Sequence, residues 1–323
     1  MYKDEKIGVG IVTYNRQDGL MKLFKSLPLD LIDELIIVND GEYFENSEID
    51  KSFIIHNKEN LGVGKSKNII LNILKNKAVD HFFIIEDDVF IKSVNIFEQY
   101  ILASKITGIQ HLNYAHHQSI KKPKATLNYP LNIKMSSFHQ CYAAFSYYSK
   151  QCIEQVGFMD ETFFNALEHL DHTLQIINHN MHPAFYDFMD IENSFDYIQD
   201  FYQDGYQSVI SNGHQHNEIL ENAHTYFFKK HQVKINDIPQ DTGLELIECL
   251  QDIFDTYSEY SEEYLITPDN LEDFKQRVYK EMKKYLRHRH IAEAQKLKVF
   301  LLKNSSIMGK IFYHFQWALR YKK

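Results

Sequence analysis

Short apolar runs closed by polar turn residues alternate with segments of helical spacing through the first ninety positions. Ile7 to Val12 predicts a first strand, and Thr13-Tyr14-Asn15-Arg16 the turn after it. From Gly19 to Leu27 the apolar residues Leu20, Leu23, Phe24 and Leu27 recur three or four apart, the helical period, and Pro28 ends the run. Leu35–Val38 and Phe53–Ile55 predict two more strands, the first finishing at Asn39-Asp40-Gly41. Asn60-Leu61-Gly62-Val63-Gly64 is a glycine-bearing loop that opens a helix through Lys67, Asn68, Leu71 and Leu74. The Phe- and Ile-rich run from His81 then ends in Glu86, Asp87 and Asp88 before Val89. Strand, helix, strand, strand, helix, strand is the pattern of a parallel α/β sheet.

The middle of the chain is less regular. Thr107–Tyr114 and Gln140–Tyr148 read as strands and Phe164–Ile177 as a helix. After about Phe227 the pattern turns helical, punctuated by Pro239 and Pro268, with amphipathic spacing from Leu271 onward. The expected division is an α/β domain over 1–230 and a mainly helical, basic region over 231–323.

Composition narrows the class. Hydrophobic residues make up 44% of 323, enough for a sizeable core. The net charge of −9 argues against a general nucleic-acid binder, which needs a basic face. That charge is unevenly spread: from Lys275 onward 14 Lys and Arg face only two acids, Glu281 and Glu293. This basic amphipathic tail suits either an anionic membrane surface or a twin subunit, hence a homodimer. Three cysteines without metal-ligand spacing fit a reducing, cytoplasmic compartment, peripheral to the inner membrane face if the tail binds lipid. The charged start of the chain and the lack of a long apolar run predict neither a secretory leader nor a spanning helix. Seventeen histidines raise the question of zinc, but His116-His117, His169/His172 and His214/His216 lack structural-site spacing.

Carboxylates cannot end in a dry interior without partners, so Glu86, Asp87 and Asp88 are expected at the carboxyl end of their strand. Open α/β sheets place ligands there. Hard oxygen donors at such an edge suit Mg²⁺ or Mn²⁺, ions that commonly accompany phosphate.

Gly10-Ile11-Val12-Thr13-Tyr14-Asn15-Arg16, Ile37-Val38-Asn39-Asp40-Gly41, Asn60-x-Gly62…Lys67-Asn68 and Glu86-Asp87-Asp88 resemble, in order and spacing, the signatures of family 2 glycosyltransferases. The resemblance spans roughly residues 7–195 and implies the GT-A fold, a Rossmann-like nucleotide-binding sheet. In its light Asp40 is expected to accept the imide N–H of uracil, with Tyr14 and Thr13 beside the base. Arg16 and Lys67 are expected at the diphosphate, and Asn60 and Gly62 where the loop approaches it before a helix N-terminus. The family's last strand-end acid binds the metal, which is Asp88 here. Glu86 stands where Asp is more usual, its longer arm suited to ribose or metal-bound water, with Asp87 between them.

The family also carries Glu-Asp at a helix start after Gly-Phe-x-Asp-Glu. This chain has Gly157-Phe158-Met159-Asp160-Glu161 and then Glu168-His169, so His169 takes the slot of the base. His169, Glu168 and Asp171 remain alternatives for the group that deprotonates the acceptor. Asp190, with Asp187 and His182 as competitors, falls near the position of a further metal ligand. The resemblance implies an inverting, metal-dependent glycosyltransferase, of hexosyl or N-acetylhexosaminyl class. It would move a sugar from a UDP-sugar to a hydroxyl of a surface glycan, such as capsule, or of a lipid-linked acceptor. A sugar-nucleotide nucleotidyltransferase is a second reading, although Thr13-Tyr14-Asn15-Arg16 is not the glycine-rich loop of that class. A non-catalytic nucleotide-sugar or glycan binder is the third.

Overall fold

A computed structural model describes residues 4–201, 215–287 and 294–298. The basic tail beyond Arg287 lies almost wholly outside them, as do the side chains of His214 and His216. The elements run β1 (Ile7–Thr13), α1 (Gln17–Ser26), β2 (Glu34–Asn39), β3 (Ile54–His56), α2 (Val63–Asn76), β4 (His81–Glu86), β5 (Val89–Ile91), α3 (Ile96–Thr107) and β6 (His111–Asn113). They continue β7 (Ala125–Asn128), β8 (Lys134–Phe138), β9 (Phe145–Ser149), α4 (Lys150–Gln155), α5 (Glu168–Asn178), β10 (Phe188–Ile191) and β11 (Ile198–Asp200). The remaining elements are α6 (Gln215–His231), α7 (Gly243–Tyr257), β12 (Thr267–Pro268) and α8 (Leu271–Arg287).

The main sheet has six strands in the order β3-β2-β1-β4-β9-β6. The first four are parallel, and β9 enters antiparallel between β4 and β6. This is the α/β, GT-A-type layout expected from the sequence. Its strands are apolar throughout because both faces are covered. Val9, Ile11, Phe83 and Ile85 face one layer with α1, α3 and α7, while Val12, Val38, Phe82 and Ile84 face the other with α2. Each such side chain, fully buried, stabilises the fold by about 1.5–3 kcal/mol. Helix α2 lies close on β1: a Cβ at Gly10 would stand 2.0 Å from Ile70 Cγ2, so only glycine admits this packing.

A second, antiparallel sheet has the order β10-β8-β7-β12, and a two-stranded ribbon joins β5 to β11. Among the described residues after 230, α7 and α8 are the main elements, helical as expected. Helix α7 starts on a capping box, Thr242 with Glu245. Its Leu244, Ile247, Leu250 and Phe254, with Phe274 and Val278 of α8, pack into the same apolar cluster as Val9 and Phe83. Strand β12 also pairs with β7. Helices 243–287 therefore share the core of the sheet domain across the expected boundary near residue 230.

Three local readings differ from the structure. The stretch 107–114 is the end of α3, turned by left-handed Gly108, before the short β6. Within 140–148 only the part from Phe145 is strand, and β9 runs on to Ser149. The predicted helix over 164–177 begins only at Glu168, because Asn165 and Leu167 are left-handed, at φ 62° and 66°.

Candidate functional site

The parallel strands β1, β2 and β4 end side by side, and their last residues meet. Thr13 Oγ1 donates to Asp87 Oδ2 at 2.5 Å. The Arg16 guanidinium pairs with Asp87, and its Nη1 lies 3.5 Å from Asp88 Oδ2. Both acids are buried. Burial pushes the Asp87 carboxyl up to about 7 although Arg16 opposes it. Asp88 is also raised by burial, against the pull of His117. One oxygen of Asp88, Oδ1, is buried without a hydrogen-bond partner among the described residues. A buried carboxylate oxygen in that state is a place for a cation.

The ribbon of β5 with β11 adds Asp200, which the sequence pattern did not reveal. Pairing Asp200 opposite Val89 carries it to the Asp88 corner. His117 bridges the two acids, with Nδ1 2.6 Å from Asp200 and Nε2 3.6 Å from Asp88. Burial lowers the affinity of His117 for a proton, but Asp200 and Asp88 outweigh it and raise its pKa. Asp200 is separated from Asp88 by more than a hundred residues, so only strand pairing could disclose it.

Asp40, at the end of β2, holds the glycine loop. Oδ1 accepts from Asn57 Nδ2 at 2.7 Å and Leu61 N at 2.8 Å, and Oδ2 from Gly62 N at 2.8 Å. Asn60 Oδ1 accepts from the same Gly62 amide at 3.0 Å. Gly62 is left-handed (φ +88°) and a Cβ there would meet Phe164 at 2.7 Å, so the loop needs glycine twice over. Three bonds on Asp40 make it first the anchor of this loop. The first turn of α2, expected to face an anion, has its Val63 amide taken by Asn165 Oδ1 at 2.8 Å. That bond explains the left-handed turn at Asn165.

Lys67 departs from its expected place at a diphosphate. It is 1% exposed, and its ammonium sits 2.7 Å from Glu86 Oε1 and 3.2 Å from Glu168 Oε1. A buried lysine would tend to lose its proton, but the two carboxylates raise its pKa above the ordinary value. Lys67 thus ties the strand end to the start of α5. Burial disfavours ionised Glu168, yet Lys67 and then His169 hold its carboxyl well below the usual range. His169 Nδ1 lies 3.5 Å from Glu168 Oε1, at a partly exposed position.

Two other candidates sit in different surroundings. Asp171 is fully buried and accepts from Lys230, His231 and Gln175 at 2.9, 2.7 and 2.7 Å, clamping α5 to α6. Asp190, on β10, accepts from Tyr100, Ala115, Ile191 and Ser194 at 2.5–2.9 Å. Its four bonds saturate it, and Asp200 with His117 occupies the place beside Asp88 that Asp190 was expected to fill. Of its competitors, Asp187 pairs with Lys124 at 2.7 Å, and His182 is buried with Nδ1 against the Pro183 carbonyl. Among the described residues no group of three or more His, Cys, Asp or Glu is arranged to enclose a metal.

Thr13, Tyr14, Arg16, Asp40, Glu86 and Asp87 line one small pocket of about 40 Å³, closed on its far side by Val63 and Asn165. Arg16 also borders a cleft of about 320 Å³ with Asn15, Gln17, Glu42, Tyr43 and Phe44. Tyr43 is 68% exposed and its ring rests 4.5 Å from that of His56. Neither Tyr43 nor Phe44 was signalled by spacing, since both follow the Asp40-Gly41 turn in a polar stretch.

No protein-family model matches the chain. A protein of Acanthamoeba polyphaga mimivirus described as an uncharacterized glycosyltransferase is 26% identical over 217 residues, covering 60% of this chain and 80% of its own. Over that stretch the chain is similar to this glycosyltransferase. Solved structures that superpose on it include the 1–349 portion of S. aureus TarS, at 15% identity and a TM-score of 0.45, covering 94% of this chain and 93% of that one. The same portion in complex with UDP-GlcNAc gives 11% identity and a TM-score of 0.44, with the same coverage. A Pyrobaculum calidifontis mannosyltransferase in complex with GDP-Man and Mn²⁺ gives 12% and 0.33, over 48% of each chain. No helix among the described residues is long and apolar enough to cross a membrane.

Proposed function

We propose that this chain is an inverting glycosyltransferase that moves a sugar from a UDP-sugar to an acceptor hydroxyl, with Mn²⁺ or Mg²⁺ at Asp88. The observation that carries the reading is the meeting of Thr13, Tyr14, Arg16, Asp40, Glu86 and Asp87 around one pocket beside Asp88. The 320 Å³ cleft that shares Arg16 falls in the size range of small-ligand sites and offers Tyr43 and Phe44 as aromatic surfaces for a base.

The residues fit a divalent ion. Mg²⁺ and Mn²⁺ sites that serve phosphate chemistry commonly take only one or two protein carboxylates, the phosphates completing the shell. Asp88, with its unpartnered Oδ1, would hold such an ion, and Asp87 and Asp200 add negative charge around it. When bound, the ion neutralises charge on the leaving diphosphate. Arg16 contributes a fixed guanidinium at the same corner, and Thr13 orients Asp87.

Direct displacement at an anomeric carbon needs a base on the acceptor side. Glu168 and His169 stand together at the start of α5, joined to the strand-end acids by Lys67. Glu168, held ionised by Lys67, is a weak base suited to orient a hydroxyl or an imidazole. His169, partly exposed beside it, takes the acceptor proton in this reading. Asp171 is spent on α6 and takes no part in this reading. The acceptor is a glycan or lipid-linked glycan hydroxyl.

The test is a panel of nucleotide sugars screened by thermal shift with Mn²⁺, followed by UDP release. A UDP-sugar should raise the melting temperature, because ligands that bind only the native form stabilise it. The same sugar should yield UDP and a glycoside of inverted configuration. Stabilisation by no nucleotide sugar, with or without metal, contradicts the proposal.

A further inference from the structure

A cavity of about 660 Å³ belongs to neither the strand-end pocket nor the aromatic cleft. It opens between β7, β12 and the first turns of α8, where Thr267 pairs with Asn128 and the chain turns straight into Leu271. Lys122, Arg277 and Lys280 bring positive charge to it, and Asn270, Asp273 and Gln276 bring amide and carboxylate groups. It stands at the start of the basic region in a chain whose net charge is −9.

The acids around this cavity are already engaged. Asp269 pairs with Lys134 at 3.0 Å, and Asp273 accepts from the Asn270 amide at 3.0 Å. Glu281 accepts from Gly243 N at 3.2 Å, and its burial favours the neutral form. Of the cations, Lys124 is taken by Asp187 at 2.7 Å. Among the described residues Lys122, Arg277 and Lys280 have no ion pair within 4 Å; Arg277 rests 5.5 Å above the Phe274 ring, and its charge also acts on the Glu281 and Asp187 carboxyls. The wall therefore offers three guanidinium or ammonium groups to an incoming anion. Its amides and carboxylates would repel or waste a plain polyanion but suit the hydroxyls of a sugar.

We infer that this cleft binds an anionic glycan, a hydroxyl-rich chain carrying carboxylate or phosphate groups. Its use as the acceptor chain rests on the proposed transfer reading; the binding itself does not. The placement favours that use. Only five residues separate Lys122 from His117 at the Asp88 corner, so their Cα atoms lie within about 18 Å of each other. A short oligosaccharide held in the cleft spans that distance to the strand-end site.

The experiment uses the full chain, without donor or metal, and fluorescent oligogalacturonate as probe, with dextran and inorganic polyphosphate for comparison. Binding is measured in wild type and in Lys122→Glu/Lys280→Glu, both exposed positions whose exchange should leave the melting temperature unchanged. Oligogalacturonate should bind wild type and weaken about tenfold or more in the variant, with a marked salt dependence. Dextran should not bind. Equal affinity of both proteins, or equal affinity for dextran, overturns the inference, and tighter binding of polyphosphate overturns its saccharide part. UDP release without acceptor should be the same in both proteins. A chain with no UDP release that still binds oligogalacturonate in this manner would defeat the transferase proposal and leave the cleft standing.

Discussion

Asp88 and Asp190 look alike in the sequence, each an acid at the edge of a short apolar strand, and the structure treats them in opposite ways. Asp190 has four donors on its two oxygens, from Tyr100, Ala115, Ile191 and Ser194, and is part of what holds β10 to β6 and α3. Asp88 is equally buried but keeps Oδ1 unpartnered, with Asp87, Asp200 and Glu86 nearby. A saturated buried carboxylate stabilises a fold; an unsaturated one among other acids carries a cost that a ligand can relieve. Glu168 and Asp171 repeat the contrast on one helix: Asp171 is clamped by three partners on α5 and α6, whereas Glu168 faces Lys67 and His169.

Mutations that exchange the two kinds of carboxylate should separate activity from stability. The largest effect on turnover is expected for Asp88→Ala, a loss of about a thousandfold or more in UDP release with an unchanged melting temperature. Asp190→Ala should behave in reverse, losing about 3 kcal/mol or more of stability in urea unfolding as buried donors are left unsatisfied. Lys67→Met should cost about 3–5 kcal/mol, because it leaves Glu86 and Glu168 facing each other without a cation. Asp171→Asn should cost about 1–3 kcal/mol and spare turnover, whereas Glu168→Gln should spare stability and impair turnover.

The pH dependence sharpens the same contrast. Burial raises the Asp190 carboxyl to about 7, above its value in the unfolded chain. The folded state then binds the proton more tightly, so this contribution to stability is full below about pH 4 and is lost as pH rises toward 7. Unfolding of wild type and Asp190→Asn compared from pH 4 to 8 should show that this decline is flattened in the variant. A parallel pair of curves would remove Asp190 from the account.

Local pattern was enough for β1, β2 and β4, because strands covered on both faces are apolar runs, and the acids that end β4 could only lie at the sheet's rim. It placed Asp40 correctly at the end of β2, but not its task, since the partners Asn57, Leu61 and Gly62 follow a whole strand later. Helix α3 went unseen because it is apolar around most of its circumference, with Ile96, Phe97, Tyr100, Ile101 and Ala103 all buried. The left-handed turn at Asn165 was invisible because its cause is a bond to Val63, a hundred residues away. Asp200 was beyond reach for a similar reason: nothing near it announces the β5–β11 pairing that carries it to His117.

The most direct measurement is a calorimetric titration of UDP into wild type and Asp88→Ala, each with and without Mn²⁺. Mn²⁺ should tighten UDP binding to wild type and leave Asp88→Ala at its metal-free affinity. An equal gain from Mn²⁺ in both proteins would contradict it, because the cation would then be held somewhere other than Asp88.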